Sequence, residues 1–406
     1  MGKNVWIINQ YTGSPYHGMN YRSYYLGKEL LNLGDDVTIF AGSYSHLFSI
    51  PPQVKHKFTF EKIDGIRYIW VKTPYYKSAK SIGRMVNMLY FMFSLFFFNT
   101  KKLAKPDVII VSSLSLFPIV NGYLWSKKFK TKLIFEIRDL WPQTLIEVGN
   151  VSKWHPLVLF LGVFEKFGYH KADYVVSLLS NAKQYMVNRG MSEEKFVYIP
   201  NGINIEEVQN AEPLSQTIVD LLPKDKFVVG YVGTIGTANA LDYLLKAAQK
   251  LEKFPKIHFV IVGKGSEKER LQAFAKEHHM HNITFIKPIP KKQVQSMLAY
   301  FDVCYIGLKN EPLFKYGVSP NKLFDYMYSA KPILYAIDSG EHNIVKEAQC
   351  GVSVPPEDAD SLVEGILELL NLTEEQRADM GISGRSYVIE KHSYTKLAKV
   401  FQKLFS

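Results

Sequence analysis

At 406 residues the chain is too long for one core and divides into two domains, or three. Its 47% hydrophobic and 21% charged residues exclude disorder, and its two cysteines, Cys304 and Cys350, exclude a disulfide framework and fit a reducing compartment. The net charge of +11 is carried by one half: residues 1–205 hold 25 Lys and Arg against 13 Asp and Glu, residues 206–406 hold 24 against 25. A basic half suits nucleic acid, an anionic membrane or a polyanionic substrate, and the lack of any zinc-finger, homeodomain or RNP pattern disfavours nucleic acid.

The opening residues, Met1 to Asn4 and then Val5-Trp6-Ile7-Ile8, read as a first strand over Val5–Asn9 and not as a signal peptide. A loop with Gly13, Pro15 and Gly18 follows, then a helix from about Tyr21 to Leu33 closed by Gly34, and a strand at Val37–Ala41. Residues 44–65 read as irregular. Further strands are expected at Ile66–Val71, Asp107–Ser112, Lys132–Glu136 and Asp173–Ser177, with helical or loop crossovers between them. This alternation predicts a parallel sheet covered on both faces. Pro200-Asn201-Gly202 and the polar, Pro-containing stretch to residue 226 read as a linker. The plan then repeats, with strands at Phe227–Val232, Ile257–Val262, Ile283–Ile286, Asp302–Ile306, Ile333–Ala336 and Gly351–Val354, and a final helix near 384–406. Two open α/β domains would place ligands at the carboxyl ends of their strands, in a cleft between them.

Met85–Phe98 is apolar on nearly every face but, at roughly 21 Å as a helix, too short to cross a bilayer. Lys77, Lys80 and Arg84 precede it, and Lys101, Lys102 and Lys105 follow. Apolar helix and basic flanks together suit docking on an anionic membrane face; a crossover helix buried beside the sheet is the plainer reading.

Val232-Gly233-Thr234-Ile235-Gly236 and Val262-Gly263-Lys264-Gly265 are strand-to-helix turns where backbone can approach an anion or sugar, though neither completes a dinucleotide fingerprint. Ser319-Pro320-Asn321-Lys322-Leu323-Phe324-Asp325 reads as a helix start with Ser319 as N-cap and Pro320 at the first helical position. Lys322 is the odd residue, a cation in a first turn where the helix dipole prefers negative charge. An anion on the exposed N–H groups would remove that conflict, and Asp325, on the same side, would accept hydrogen bonds from sugar hydroxyls. A surface Lys–Asp pair is the alternative. Glu136-Ile137-Arg138-Asp139-Leu140-Trp141-Pro142 ends a strand of the first half, either as a structural Arg–Asp pair or as a site. His17-Gly18-Met19-Asn20-Tyr21-Arg22 opens the first helix, with Arg22 again a first-turn cation. The histidines lack ligand spacing, Asp358-Ala359-Asp360 reads as a helix cap, and no metal site is expected.

Taken together, Arg138 to Pro142, Ile199 to Ile203, Tyr231 to Gly236, Val262 to Leu271 and Ser319 to Pro332 resemble the glycosyltransferases of family 4 over nearly the whole chain. The likeness is nearest to the bacterial subgroup that builds O-antigen and capsule, including the acetamido-fucose transferases. It implies the α/β GT-B fold, two facing Rossmann-like domains with an interdomain cleft. The corresponding division is 1–205 for the acceptor, 206–383 for the nucleotide sugar, and a helix over 384–406 crossing back to the first domain. It implies a retaining, metal-independent transfer, without a cofactor, from a nucleotide sugar of the UDP type to a lipid-linked glycan. The enzyme would sit in the cytoplasm on the inner face of the plasma membrane, with an anionic membrane surface and no nucleic acid as partners.

The same resemblance implies that Gly233, Thr234, Gly236, Gly263, Lys264, Ser319, Pro320, Asn321, Lys322 and Asp325 bind the donor. His17, Gly18, Asn20 and Arg22 would face the acceptor, with Lys322, Arg138 and Asp139 as catalytic residues. Two positions depart from the family pattern. Of its paired acids with seven residues between them, the second falls on Asp325 but the first on Gly317, and Arg138 stands where many members have His. Glu311, Lys315 or Arg22 would have to compensate. A nucleotide-sugar epimerase of the same architecture and a non-catalytic sugar-nucleotide-binding protein are the rival expectations.

Overall fold

The computed structural model describes residues 2–19, 21–78 and 81–406, so the expected acceptor residue Asn20 and the basic flank Lys80 lie outside the described residues. The chain forms two compact units: Met1–Asn201 with Tyr394–Ser406, and Gly202–Ser393.

In the first unit the order is β1 (Asn4–Ile8), α1 (Arg22–Asn32), β2 (Asp36–Gly42), β3 (Phe58–Ile63), β4 (Ile66–Val71), α2 (Ile82–Phe96), β5 (Val108–Ser112), α3 (Ile119–Phe129) and β6 (Lys132–Ile137). Then come α4 (Gln143–Glu147), α5 (Pro156–Lys171), β7 (Tyr174–Ser177), α6 (Lys183–Asn188) and β8 (Phe196–Tyr198). The sheet runs β3-β4-β2-β1-β5-β6-β7-β8, parallel except where β3 pairs antiparallel with β4. The central strands are buried on both faces, which is why they read as continuous Val and Ile runs.

Part of residues 44–65, expected to be irregular, is strand β3. It forms a hairpin with β4 through Asp64-Gly65, both at positive φ (47° and 91°), the conformation a two-residue hairpin turn demands. Asp-Gly was the available signal. The apolar stretch expected at Met85–Phe98 is α2, which begins earlier, at Ile82. Phe91 and Leu95 are buried against the unit, whereas Phe93 and Phe97 stay exposed. No helix among the described residues is long and apolar enough to cross a membrane.

The second unit continues with α7 (Ile205–Gln209), α8 (Gln216–Val219), β9 (Phe227–Val232), α9 (Leu241–Lys250), β10 (Ile257–Val262), α10 (Lys268–Glu277), β11 (Ile283–Ile286), α11 (Val294–Leu298) and β12 (Val303–Gly307). It ends with α12 (Asn321–Tyr328), β13 (Ile333–Ala336), α13 (Ile344–Glu347), β14 (Gly351–Ser353), α14 (Ala359–Asn371) and α15 (Glu374–His392). Its parallel sheet is ordered β11-β10-β9-β12-β13-β14. Asp358 caps α14, accepting from the backbone N–H groups of Asp360 and Ser361.

The single helix expected over 384–406 is two. The chain breaks at Ser393, in extended backbone, between α15 and α16 (Tyr394–Gln402). Residues 384–392 therefore belong to the second unit, and only Tyr394 onward joins the first. There Leu397 and Phe401 enter the apolar core beside Tyr25 and Leu26 of α1.

Candidate functional site

The donor-type residues gather at the carboxyl end of β9. Tyr326, inside α12, bonds both ways with the last residue of β9: its hydroxyl donates to the Val232 carbonyl at 3.0 Å and accepts from the Val232 N–H at 2.8 Å. That tie fixes where α12 begins. The helix starts one residue later than expected. Pro320, with extended backbone (φ −73°, ψ 127°), takes the cap position, Asn321 is first in the helix, and Ser319 is not the N-cap. Pro320 has no side chain able to cap this N-terminus, and the first turn contains no acid. Its N–H groups and dipole are therefore set for an anion.

Lys322 does not pair with Asp325. Its ammonium donates to the Tyr231 hydroxyl at 2.9 Å and to Asn239 Oδ1, and lies 4.5 Å from the Tyr231 ring centroid. Tyr231 in turn donates to the Thr234 carbonyl at 2.6 Å, and Asn239 Nδ2 donates to the same carbonyl at 3.0 Å. A closed ring of hydrogen bonds thus holds one cation against the Gly233–Gly236 turn. Burial drops the Lys322 pKa from 10.5 to about 7, although part of its surface still meets solvent. An arriving phosphate would restore the charge.

The two glycine turns touch. The Ile235 N–H donates to the Lys264 carbonyl at 2.9 Å, and a Cβ on Gly263 would lie 1.9 Å from the Gly233 carbonyl oxygen. The neighbouring backbone alone therefore requires a glycine at position 263. Gly236 meets nothing nearer than 3.6 Å, Thr234 and Lys264 are exposed, and this side of the turn is open to a ligand.

Asp325 is already occupied. Lys291 binds its carboxylate, at 2.6 Å to Oδ2, and Gln295 donates to its backbone carbonyl at 3.0 Å. Ribose hydroxyls would have to compete with Lys291, a residue without a distinguishing signal in the sequence. Gly317 has φ 103° and ψ 161°, a region open in practice only to glycine. The absent family acid is therefore a backbone requirement of this loop.

In the first unit, Arg22 is 3% exposed and all its nitrogens are engaged. Nε donates to Glu136 at 2.9 Å, Nη1 to the Pro200 carbonyl and Nη2 to the Ile199 carbonyl at 2.9 Å. It ties α1 to β6 and the end of β8, which removes it both as an acceptor contact and as a substitute for the missing acid. His17 is likewise buried. Its Nδ1 lies 2.8 Å from Ser14 Oγ, its ring packs on Trp70, and burial lowers its pKa against the opposing pull of Glu61. Gly18, at φ 72°, sits beside Ser49. These contacts hold His17, Gly18 and Arg22 to the loop and its neighbouring elements.

Arg138 differs. Its Nε and Nη1 are buried without a hydrogen-bond partner, and Asp139 acts on it only as a nearby charge. Unpaired buried donors on a cation cost about 1–3 kcal/mol, which marks a place awaiting an acceptor group. Asp139 keeps an exposed surface, but the protein atoms crowded around its carboxyl push its pKa up against the opposing pull of Arg138, and the direction of the shift is upward. For Glu136, burial raises the pKa, but Arg22, Arg138 and the Ser112 hydroxyl together bring it below its ordinary value. Lys315 lies 3.8 Å from Asp338. No cluster of three or more His, Cys, Asp or Glu among the described residues is arranged around a common point for a metal.

Residues 217–387 match the family model described as glycosyl transferases group 1, and residues 17–202 the one described as glycosyl transferase 4-like domain. Among curated proteins, the chain is 25% identical over 327 residues to the "Putative colanic acid biosynthesis glycosyl transferase WcaI" of Escherichia coli, covering 77% of this chain and 79% of that one. An uncharacterized glycosyltransferase of Methanocaldococcus jannaschii is 21% identical over 84% of this chain and 85% of its own. Among solved structures, sucrose-phosphate synthase of Thermosynechococcus elongatus aligns with TM-score 0.75 at 17% identity over 99% of this chain and 98% of its own. Anabaena HepE in complex with UDP and glucose aligns with TM-score 0.67 at 13% identity over 99% of both. At these identities the structural likeness carries the fold alone: two Rossmann-like α/β units with parallel sheets.

Proposed function

For a chain that belongs to the glycosyl transferases, a 4-like domain followed by a group 1 domain on the GT-B plan, we propose a retaining, metal-independent transfer from a UDP-sugar to a lipid-linked glycan of the cell surface. The observation that carries this reading is Lys322, a buried cation held beside the acid-free N-terminus of α12 and an open glycine turn. The difficulty of glycosyl transfer lies in the departing nucleoside diphosphate. As the bond between the anomeric carbon and the β-phosphate oxygen breaks, negative charge grows on that phosphate. Fixed N–H groups and Lys322 are placed to meet it. The acceptor oxygen attacks from the same face, and its proton passes to a phosphate oxygen of the leaving group. No separate general base is then required. Asp139, with its raised carboxyl, stays a positioning group for the acceptor beside Arg138.

The acceptor side rests on α2. Phe93, Phe96 and Phe97 are exposed, and Lys57 lies 4.3 Å from the Phe97 ring centroid. Aromatic side chains with cations around them, in the basic half of the chain, suit the inner leaflet of an anionic membrane. The similarity to a protein described for colanic acid biosynthesis supports a surface polysaccharide as product. The test is release of UDP from a panel of UDP-sugars by the purified protein, with and without lipid-linked glycan in anionic vesicles. Release that requires the lipid supports the reading. Sugar conversion without acceptor would make the protein an epimerase, and absence of turnover a binding protein.

A further inference from the structure

The first unit holds a cavity of about 810 Å³, within the roughly 300–1,000 Å³ of small-molecule sites. It lies beyond the carboxyl ends of β5 and β6. Met85 and Met88 of α2, Leu145 of α4 and Leu157 and Leu161 of α5 form apolar walls. Its lip is open to solvent: Ile82, at the start of α2, is 85% exposed, and Val148, just past α4, is 46% exposed.

The opposite end is polar. Ser115 is 3% exposed, and its Oγ has no hydrogen-bond partner; Nε1 of Trp141 is buried and unpaired as well. Buried polar groups without partners are rare, and here two of them line one void. Arg84 adds positive charge to the lining. Trp141 also belongs to the turn that carries Arg138, whose Nε and Nη1 are likewise buried and unpaired.

We propose that this cavity seats the first stretch of the hydrocarbon chain of a phosphate-bearing lipid. The chain enters between Ile82 and Val148, and the oxygens next to the head are met by Ser115 and Trp141. The inference rests on the lipid-linked acceptor read above and names the part of the protein that grips the lipid. Two features on the surface favour a membrane lipid over a soluble apolar ligand. The lip is continuous with exposed Val86 and Phe93 along α2, and Trp154, before α5, is 72% exposed on the α5 side. A lipid drawn from the bilayer would pass from one apolar environment to another without crossing water.

The experiment titrates the whole protein with farnesyl phosphate and with farnesol by calorimetry, and repeats both with Met88→Trp and Leu161→Trp, each of which fills the void. Binding of UDP and of anionic vesicles by the variants reports that they are folded. The expected result is saturable binding of farnesyl phosphate, tighter than farnesol, with at least a tenfold higher Kd in either filled variant. Equal Kd values in wild type and filled variants, equal affinity for farnesol, or no saturable binding overturns the proposal. The outcome separates from the functional reading. Vesicle binding and lipid-dependent UDP release that persist in the filled variants keep that reading and remove the pocket. The expected Kd pattern without any UDP release keeps the pocket and removes the reading.

Discussion

Replacing Lys322 by Met should stabilise the protein and weaken its hold on UDP, two effects of opposite sign from one side chain. Burial takes the Lys322 pKa from 10.5 to about 7, so at 1.36 kcal/mol per pH unit its charged form costs roughly 5 kcal/mol relative to the unfolded chain. The Tyr231 ring and Asn239 Oδ1 favour the charged form and offset part of that cost. A net gain of about 2 kcal/mol or more for Met remains at pH 6. Between pH 7 and 10.5 the unfolded chain binds more protons than the folded one, so wild-type stability rises with pH across that window. Below pH 7 the cost is present in full. Urea denaturation at pH 6 and pH 9.5 measures both, and Lys322→Met should lose the rise. Binding of a diphosphate pulls the proton back on, so UDP affinity in wild type should fall by up to tenfold per pH unit above pH 7. Calorimetric titration of UDP at pH 7, 8 and 9 reads this directly. A Met variant that is less stable than wild type at pH 6, or that keeps the same pH slope for UDP, refutes the placement of a buried, anion-seeking cation here.

Three further outcomes are expected. Arg22→Met leaves Glu136 buried without its partner and should cost about 3–5 kcal/mol of stability in denaturation, with UDP affinity per folded molecule unchanged. Gly317→Glu, which restores the family acid in sequence, should lower stability by about 1–3 kcal/mol because of its φ of 103°, and should not tighten UDP-sugar binding. Lys291→Ala frees the Asp325 carboxylate and should tighten UDP binding several-fold, whereas Asp325→Asn should weaken it; identical calorimetric Kd values in both variants would detach this pair from the ribose.

Much of the fold is legible in order because parallel strands covered on both faces must be apolar throughout. Val108–Ser112 and Phe227–Val232 show this without any knowledge of their neighbours. The β3–β4 hairpin is hard to see in the sequence, although Asp64-Gly65 signals its turn, because β3 is an edge strand with an exposed Glu61-Lys62 pair and no apolar run. The site divides in the same way. That Lys322 stands against a helix dipole is a local fact, visible from spacing alone. Its partners are not local: Tyr231 and Asn239 lie 91 and 83 residues away. Arg22 and Arg138 look alike in sequence, each a cation at a strand or helix end. Only packing separates them, since one finds Glu136 and two carbonyls and the other is left with two unpaired nitrogens.

The sequence by itself determined the two α/β units, the glycine turns and a helix start to within one residue of Asn321, because periodicity, caps and turn chemistry act over a few residues. The tertiary structure decided which polar groups are spent. Hydrogen bonding saturates, and whether Lys322, Asp325, Arg22 or Arg138 keeps capacity for a ligand depends on what distant strands bring within 3 Å of it.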